Sequence, residues 1–275
     1  MSPPPIASLW VGARLSWVEQ LCLKSWQDAG HAVTLFTLGD VAGLPTGIAR
    51  ARAQDILPPP FAFEPDPRHR IATYSDLFRL KLFEKTDHIW VDCDAYGLRP
   101  LEGLGAAIFG WGPKRVLTGV LRLPSSSPAL ALMSDFVSRR CPIQPWRNPA
   151  YRARRARWCE EGRAWGIEDL PWGCAGPQLL HWALTQTGEI AHALPLEAFY
   201  PVVTEAPMAL HQRPPPIQAL EAACVYSIHI FGAQRIALAA HNGGLPFAGS
   251  YLAEICARHG IAPGQAPIET PPMAG

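Results

Sequence analysis

The chain has 275 residues with 24 Lys plus Arg against 23 Asp plus Glu, and a net charge of +1 argues against an overall nucleic-acid binder. A hydrophobic fraction of 48% supports a full core, and the length fits one generous α/β domain or two small ones, while 29 clustered prolines imply long ordered loops. The seven cysteines are odd in number and contain no CxxC pair, which argues against a disulfide framework or structural zinc and for a reducing cytosol. Met1-Ser-Pro-Pro-Pro5 lacks a basic region before an apolar core, and no apolar run reaches a membrane span, so a soluble cytoplasmic protein is expected.

In chain order, Ile6 to Val11 predicts an apolar strand ended by Gly12. Ser16-Trp-Val-Glu19 is a capping box that opens a helix through Leu23 and Trp26 to a stop at Gly30. His31 to Leu38 predicts a second strand. Together these form a β-α-β unit, for which a parallel sheet with right-handed crossover is the default. Its Trp10-Val11-Gly12 turn falls at the carboxyl edge, where such sheets bind ligands. Asp40 to Pro67 is loop-rich, with a short strand expected within Arg52 to Pro58. Ala72 to Glu84 predicts a helix, with Tyr74, Leu77, Phe78 and Leu82 at helical spacing and Asp76 and Arg79 on a shared face. Ile89-Trp-Val91 then predicts a buried strand that ends in two carboxylates, Asp92 and Asp94, with Gly97 and Pro100 behind them.

Further on, Gly103 to Gly112 is glycine-rich without phosphate-cradling spacing. Val116 to Leu121 predicts a strand and Ala129 to Val137 a helix. The segment from Arg139 to Arg163 is dense in arginine and interleaved with Trp146 and Trp158. It reads as a solvated helix face, or as a peripheral contact for anionic lipid headgroups or a phosphorylated acceptor. Pro171 to Gln178 is a turn leading into a helix, Gln178 to Thr187. Val225 to Gly232 predicts a strand bearing His229, which is either a core histidine or a ligand. No internal repeat or linker appears, so one domain is expected over 1–260, followed by a Pro/Ala-rich tail over 261–275.

Two carboxylates one residue apart at a strand end form either a hydrogen-bonded turn or a site for a hard divalent cation that holds a diphosphate. The residues around them narrow the choice. Ser75-Asp76-x-x-Arg79, then Trp90-Val-Asp92-x-Asp94, then Leu98-Arg-Pro100 resembles the DXD-containing sugar transferases: Och1-like mannosyltransferases, α-1,4-galactosyltransferase-like enzymes and the glucosylating clostridial toxins. The block departs from that family where Thr86-Asp87 replaces a Gly-Gly pair before the strand, in a turn away from the chemistry.

The resemblance covers most of 6–232, and its specific part is Ser75 to Pro100. It implies a GT-A-type fold, a Rossmann-like mixed, mostly parallel sheet flanked by helices. The implied activity is transfer of a sugar from a nucleotide-sugar donor, UDP-linked above all, to a glycan or lipid-linked acceptor, with retention of configuration. Asp92 and Asp94 would be the catalytic pair and, with His229, the ligands of Mn²⁺ or Mg²⁺. Trp10, Val11 and Gly12 match a toxin turn whose Trp stacks on the donor base, although Trp10 reads equally as a core residue. Asp76 and Arg79 would orient the donor sugar. Gly176 and Pro177 match a Gly-Pro step near the sugar, with Ala175 where Thr is usual, and Gln178 either faces the sugar or simply starts the helix. His229-Ile-Phe-Gly232 matches a His-x-x-Gly element, with Ala233-Gln234 replacing Ser-Trp.

Two other classes fit parts of the pattern. Haloacid-dehalogenase-like phosphohydrolases also open on Asp-x-Asp, but near the domain start and with a later acidic pair in a better context than Glu160-Glu161 or Glu168-Asp169. A non-catalytic nucleotide-sugar-binding protein is opposed by the intact Asp76, Arg79, Asp92 and Asp94.

Overall fold

The computed structural model describes residues 3–202, 209–211 and 217–269. Its frame is the expected β-α-β unit: strand β1 (Ile6–Trp10), helix α1 (Trp17–Asp28) and strand β2 (Val33–Thr37). The two strands pair in parallel from Ile6↔Val33 to Trp10↔Thr37. Helix α1 starts where it does because the Ser16 backbone N–H and hydroxyl both donate to Glu19 Oε2, at 2.7 and 2.5 Å. Just past its end Gly30 has φ 96°, a conformation that costs glycine least.

The next strand, β3 (Ala49–Arg52), lies earlier than expected and pairs in parallel with β2, whereas 53–55 form a single 3₁₀ turn. Helix α2 (Pro67–Lys85) begins well before Ala72. Asp66 caps it by accepting the His69 N–H at 3.1 Å, and Pro67 takes the first helical position, where a missing N–H is no loss. Strand β4 (Ile89–Val91) lies parallel to β1 on its other side. Strand β5 (Ala95–Gly97) follows the Asp pair. The strand expected over 116–121 contracts to β6 (Val120–Leu121), antiparallel to β4, with Val116 bridged instead to Trp111. The result is an α/β fold with a mixed five-stranded sheet, β3-β2-β1-β4-β6, of which only the last strand is antiparallel.

Helices α3 (Pro128–Ser138), α4 (Pro149–Glu160), α5 (Pro177–Thr187), α6 (Leu196–Phe199) and α7 (Ile217–Leu220) follow. The strand around His229 is shorter than expected: β7 (Ser227–His229) pairs antiparallel with β5 in a separate ribbon, and Gly232 opens α8 (Gly232–Asn242). Helix α9 (Tyr251–Arg258) is the last α-helix among the described residues. One core cluster joins α2, β4, α3 and α5 through Phe78, Trp90, Phe136 and Leu180. A second joins α1, the β5/β7 ribbon and α9 through Trp17, Tyr96, Ile228 and Leu252.

Two findings revise the sequence expectations. Cys141 and Cys159 form a disulfide, with their Cα atoms 6.4 Å apart. Nothing in their spacing announces it; α4 folds the chain back and brings them together. Residues 261–269, expected as the start of a tail, run along the domain instead: Ala266 O accepts the Trp17 N–H at 2.8 Å, and Ile268 is buried with its N–H on Gly244 O. Residues 270–275 lie outside the described part.

Candidate active site

Strand β4 carries Trp90 and stops at Asp92, whose backbone is fixed on both sides. The Asp92 N–H donates to Gly119 O at 2.8 Å, and the Asp92 carbonyl accepts the Ala95 N–H at 2.9 Å in the turn to β5. The Asp94 carbonyl accepts the Ile230 N–H at 2.8 Å, which holds the end of β7 beside the turn. His229 therefore faces both carboxylates, with Nε2 3.5 Å from Asp92 Oδ2 and 3.3 Å from Asp94 Oδ1. One ligand atom from each of the three lies within 4.8 Å of the others, so the trio can hold a divalent metal ion.

The imidazole is held by its surroundings. It stacks on Phe231 with centroids 4.3 Å apart and lies 5.8 Å from the Tyr200 ring. Gly119 passes directly beside it; a Cβ there would come within 2.5 Å of His229 Cδ2. That close approach is the reason for a glycine at this point. Tyr200 secures the same strand by accepting the N–H groups of Gly119 and Val120 at 3.1 and 3.3 Å.

Asp92 is held from its other side as well. The Trp90 indole N–H donates to Asp92 Oδ1 at 2.7 Å, and Arg79 Nη2 donates to the same oxygen at 3.3 Å. Arg79 is buried, lies over the Trp90 ring at 4.7 Å, and places Nη1 3.0 Å from Asp76 Oδ1. One guanidinium thus bridges two carboxylates; its pairing with Asp76 follows from their shared helix face, while its reach to Asp92 is set by the packing of α2 against β4.

The electrostatics separate the carboxylates. Burial pushes Asp76 up to about 6, against the opposing pull of Arg79. Burial would raise Asp92 too, but Arg79 and His229 hold its carboxyl below the ordinary range. Burial raises Asp94, and its neighbour Asp92 adds to that. Burial would lower His229, yet Asp94 and Asp92 together raise it.

These groups open into a cavity of about 540 Å³ at the carboxyl ends of β1 and β4. Trp10, Val11, Asp76, Arg79, Asp92 and Asp94 all line it, and so does Pro177. Gly12 stands behind Trp10: a Cβ on it would come within 3.0 Å of the indole Nε1, so the glycine lets the ring lie against the turn. Gly176 stands behind Asp76, where a Cβ would come within 2.4 Å of Oδ1. Gln178 faces elsewhere, accepting the Trp146 indole N–H and donating to Trp172 O, both at 3.1 Å.

The structure gives roles to residues for which the sequence reading named none. Trp90 reads as a strand residue, although it lies two positions before Asp92 and hence on the same strand face. Arg235 on α8 lines the cavity and pairs with the buried Glu19 at 2.5 Å, so the capping-box glutamate has a second task. The arginines of 139–163 lie apart from the cavity. No residue of α4 is buried, and its cations stack on aromatic rings: Arg154 over Trp158 at 5.3 Å and Arg155 over Trp165 at 3.8 Å. Among the described residues no helix is long and apolar enough to cross a membrane.

No family model matches this chain, and no curated protein matches it. Among solved structures, one described as PaToxG Glycosyltransferase is similar at a TM-score of 0.43 and 14% identity, over 67% of this chain and 70% of that chain.

Proposed function

We propose that this protein is a metal-dependent glycosyltransferase that moves a sugar from a nucleotide-sugar donor, UDP-linked in the first instance, to a glycan or lipid-linked acceptor. The observation that carries this reading is the joining of Asp92, Asp94 and His229 beside a cavity that Asp92 and Asp94 line together with Asp76 and Arg79 from the preceding helix. The resemblance of the Ser75 to Pro100 block to DXD sugar transferases supports it, and so does the position of the cavity at the carboxyl edge of a Rossmann-like sheet.

Two carboxylates and one imidazole, partly shielded from water, suit a divalent ion of the Mn²⁺ or Mg²⁺ kind, and the nitrogen ligand favours Mn²⁺. When bound, such an ion neutralises the charge that grows on a departing diphosphate. The protein's own groups do the rest. Trp10 offers an aromatic face for the donor base, a contact worth on the order of 1–3 kcal/mol. Asp76 accepts hydrogen bonds from sugar hydroxyls, and Arg79 keeps both Asp76 and Asp92 in place for the donor. Gly176 lets the start of α5 approach Asp76 closely enough to close that side of the pocket. Retention of configuration, implied by the resemblance, places the acceptor on the leaving-group face.

The test is thermal stability against a panel of nucleotide sugars, with and without Mn²⁺, for wild type and Asp94→Ala. A selective, metal-dependent upward shift that the variant loses is the expected result, and it names the donor. No shift with any nucleotide sugar, together with hydrolysis of a generic phosphate ester, would refute the reading in favour of a phosphohydrolase.

A further inference from the structure

The donor cavity does not end at Trp172. Trp172, Gly173 and Pro177 also line a second cavity of about 320 Å³, and that one shares Lys114, Arg115 and Gln178 with a third of about 410 Å³. The three cavities adjoin in series from the Asp pair, each sharing wall residues with the next, and together are termed the groove. Its outer part has a consistent chemistry. No carboxylate lines either outer cavity. Lys114 is exposed and Arg115 half-buried, and neither has a carboxylate partner among the described residues. Of the other arginines near the groove, Arg79 bridges Asp76 and Asp92, Arg235 holds Glu19, and Arg68, at the donor-cavity end, lies over the Trp172 ring at 5.6 Å.

Aromatic surface alternates with this charge. Trp172, 55% exposed, stands where the donor cavity meets the second one. Trp146 and Trp182, with centroids 6.2 Å apart, line the third. Gln178 lies between them, accepting the Trp146 indole N–H and donating to the Trp172 backbone carbonyl, so it ties the Trp146 side chain to the main chain at Trp172. Flat aromatic faces receive the C–H faces of sugar rings, and unpaired Lys and Arg side chains receive a carboxylate or phosphate.

We infer that the groove through Trp172, Lys114, Arg115 and Trp182 is the acceptor site and that it takes an anionic saccharide, its acidic group on Lys114 and Arg115 and its rings on the tryptophans. The inference rests on the glycosyltransferase reading for the word acceptor, but the binding site stands on its own geometry. A saccharide bearing a uronic carboxylate and one bearing a phosphate present the same chemistry here.

The experiment measures binding of defined oligosaccharides by calorimetry at low and moderate salt. The probes are tetragalacturonate and its carboxyl-reduced neutral counterpart, and a phosphorylated oligomannoside and its dephosphorylated form. Proteins are wild type and the double variant K114A/R115A, each checked for folding by thermal unfolding and for Mn²⁺-dependent UDP binding at the donor cavity. The expected result is binding of at least one anionic probe, at least roughly tenfold weaker binding of its neutral partner, and a similar loss in the double variant with UDP binding unchanged. The stronger of the two anionic probes identifies the acidic group. Equal binding of neutral and anionic probes, or equal binding by wild type and variant, would overturn the inference. So would binding of none of the four, or transfer of labelled sugar to a protein instead of a glycan. Loss of UDP binding in wild type would refute the transferase reading while leaving the groove to be judged by its glycan binding alone.

Discussion

Replacing Asp76 by Asn should make the free protein more stable while making the enzyme worse. Asp76 lies almost out of water, against one buried arginine and near a second carboxylate, and its carboxyl is pushed from 3.8 up to about 6. The native state therefore holds a proton there between pH 3.8 and about 6 that the unfolded chain has released. Stability falls as pH rises through that window and stays reduced above it. The separation, at about 1.36 kcal/mol per pH unit, makes the ionised side chain about 3 kcal/mol costly at pH 7. Asn mimics the neutral acid in shape and removes that cost. Urea unfolding of wild type and Asp76→Asn at closely spaced pH values should show no gain near pH 3.5 and a gain of about 3 kcal/mol above pH 7. Metal-dependent donor binding should fall at least roughly tenfold in the same variant, since a charged acceptor of sugar hydroxyl bonds is gone. A variant less stable than wild type at pH 7, or a gain equal at all pH values, would refute the reasoning, because Arg79 would then outweigh burial.

Other perturbations bear on the same site. Gly119→Ala puts a methyl within 2.5 Å of His229 Cδ2 and should weaken Mn²⁺ binding by roughly 10–100-fold with little change in the circular dichroism spectrum. Trp90→Phe deletes the indole N–H that meets Asp92 Oδ1 at 2.7 Å. It should lower catalytic turnover, which steady-state kinetics would show, while thermal stability falls by about 1–3 kcal/mol. Because Asp94 and Asp92 raise His229, a proton competes with a metal ion for its imidazole. The Mn²⁺-induced rise in melting temperature should therefore be larger at pH 8 than at pH 6, and a pH-independent rise would remove His229 from the ligand set.

Much of this site was legible because its determinants are local. The Asp76–Arg79 pair follows from helical spacing, the Asp92–Asp94 pair from a short apolar strand, and α1 from a capping box that the structure reproduces atom for atom. What escaped had no local mark. Pro67 resembles loop punctuation until its place as the first residue of α2 is known. The disulfide partners Cys141 and Cys159 meet only through the course of α4. Arg235 becomes significant only when α8 lies against α1 and meets Glu19. Residues 261–269 resemble a tail by composition, yet backbone bonds to Trp17 and Gly244 decide their course. Helix α9 did carry a signature, Ser250 as N-cap with Tyr251, Leu252, Ile255 and Cys256 buried on one side. Proline and alanine content nearby obscured it.

The partnership of His229 with Asp92 spans 137 residues of chain. Arg99 reinforces the same long closure, since its guanidinium donates to the carbonyls of Glu221, Ala222 and Val225. The first half of the chain can form β1, α1, β2, α2 and β4 as a nascent unit on its own neighbours. The carboxylate pair then waits, without its imidazole, until the ribbon strand has been synthesised and docked. Chains halted by premature termination before Ser227 would fold in part and hold Asp92 and Asp94, yet lack the histidine that completes the trio. A complete Asp-Asp-His trio would thus need the chain at least through the ribbon strand, however early the two carboxylates take their places.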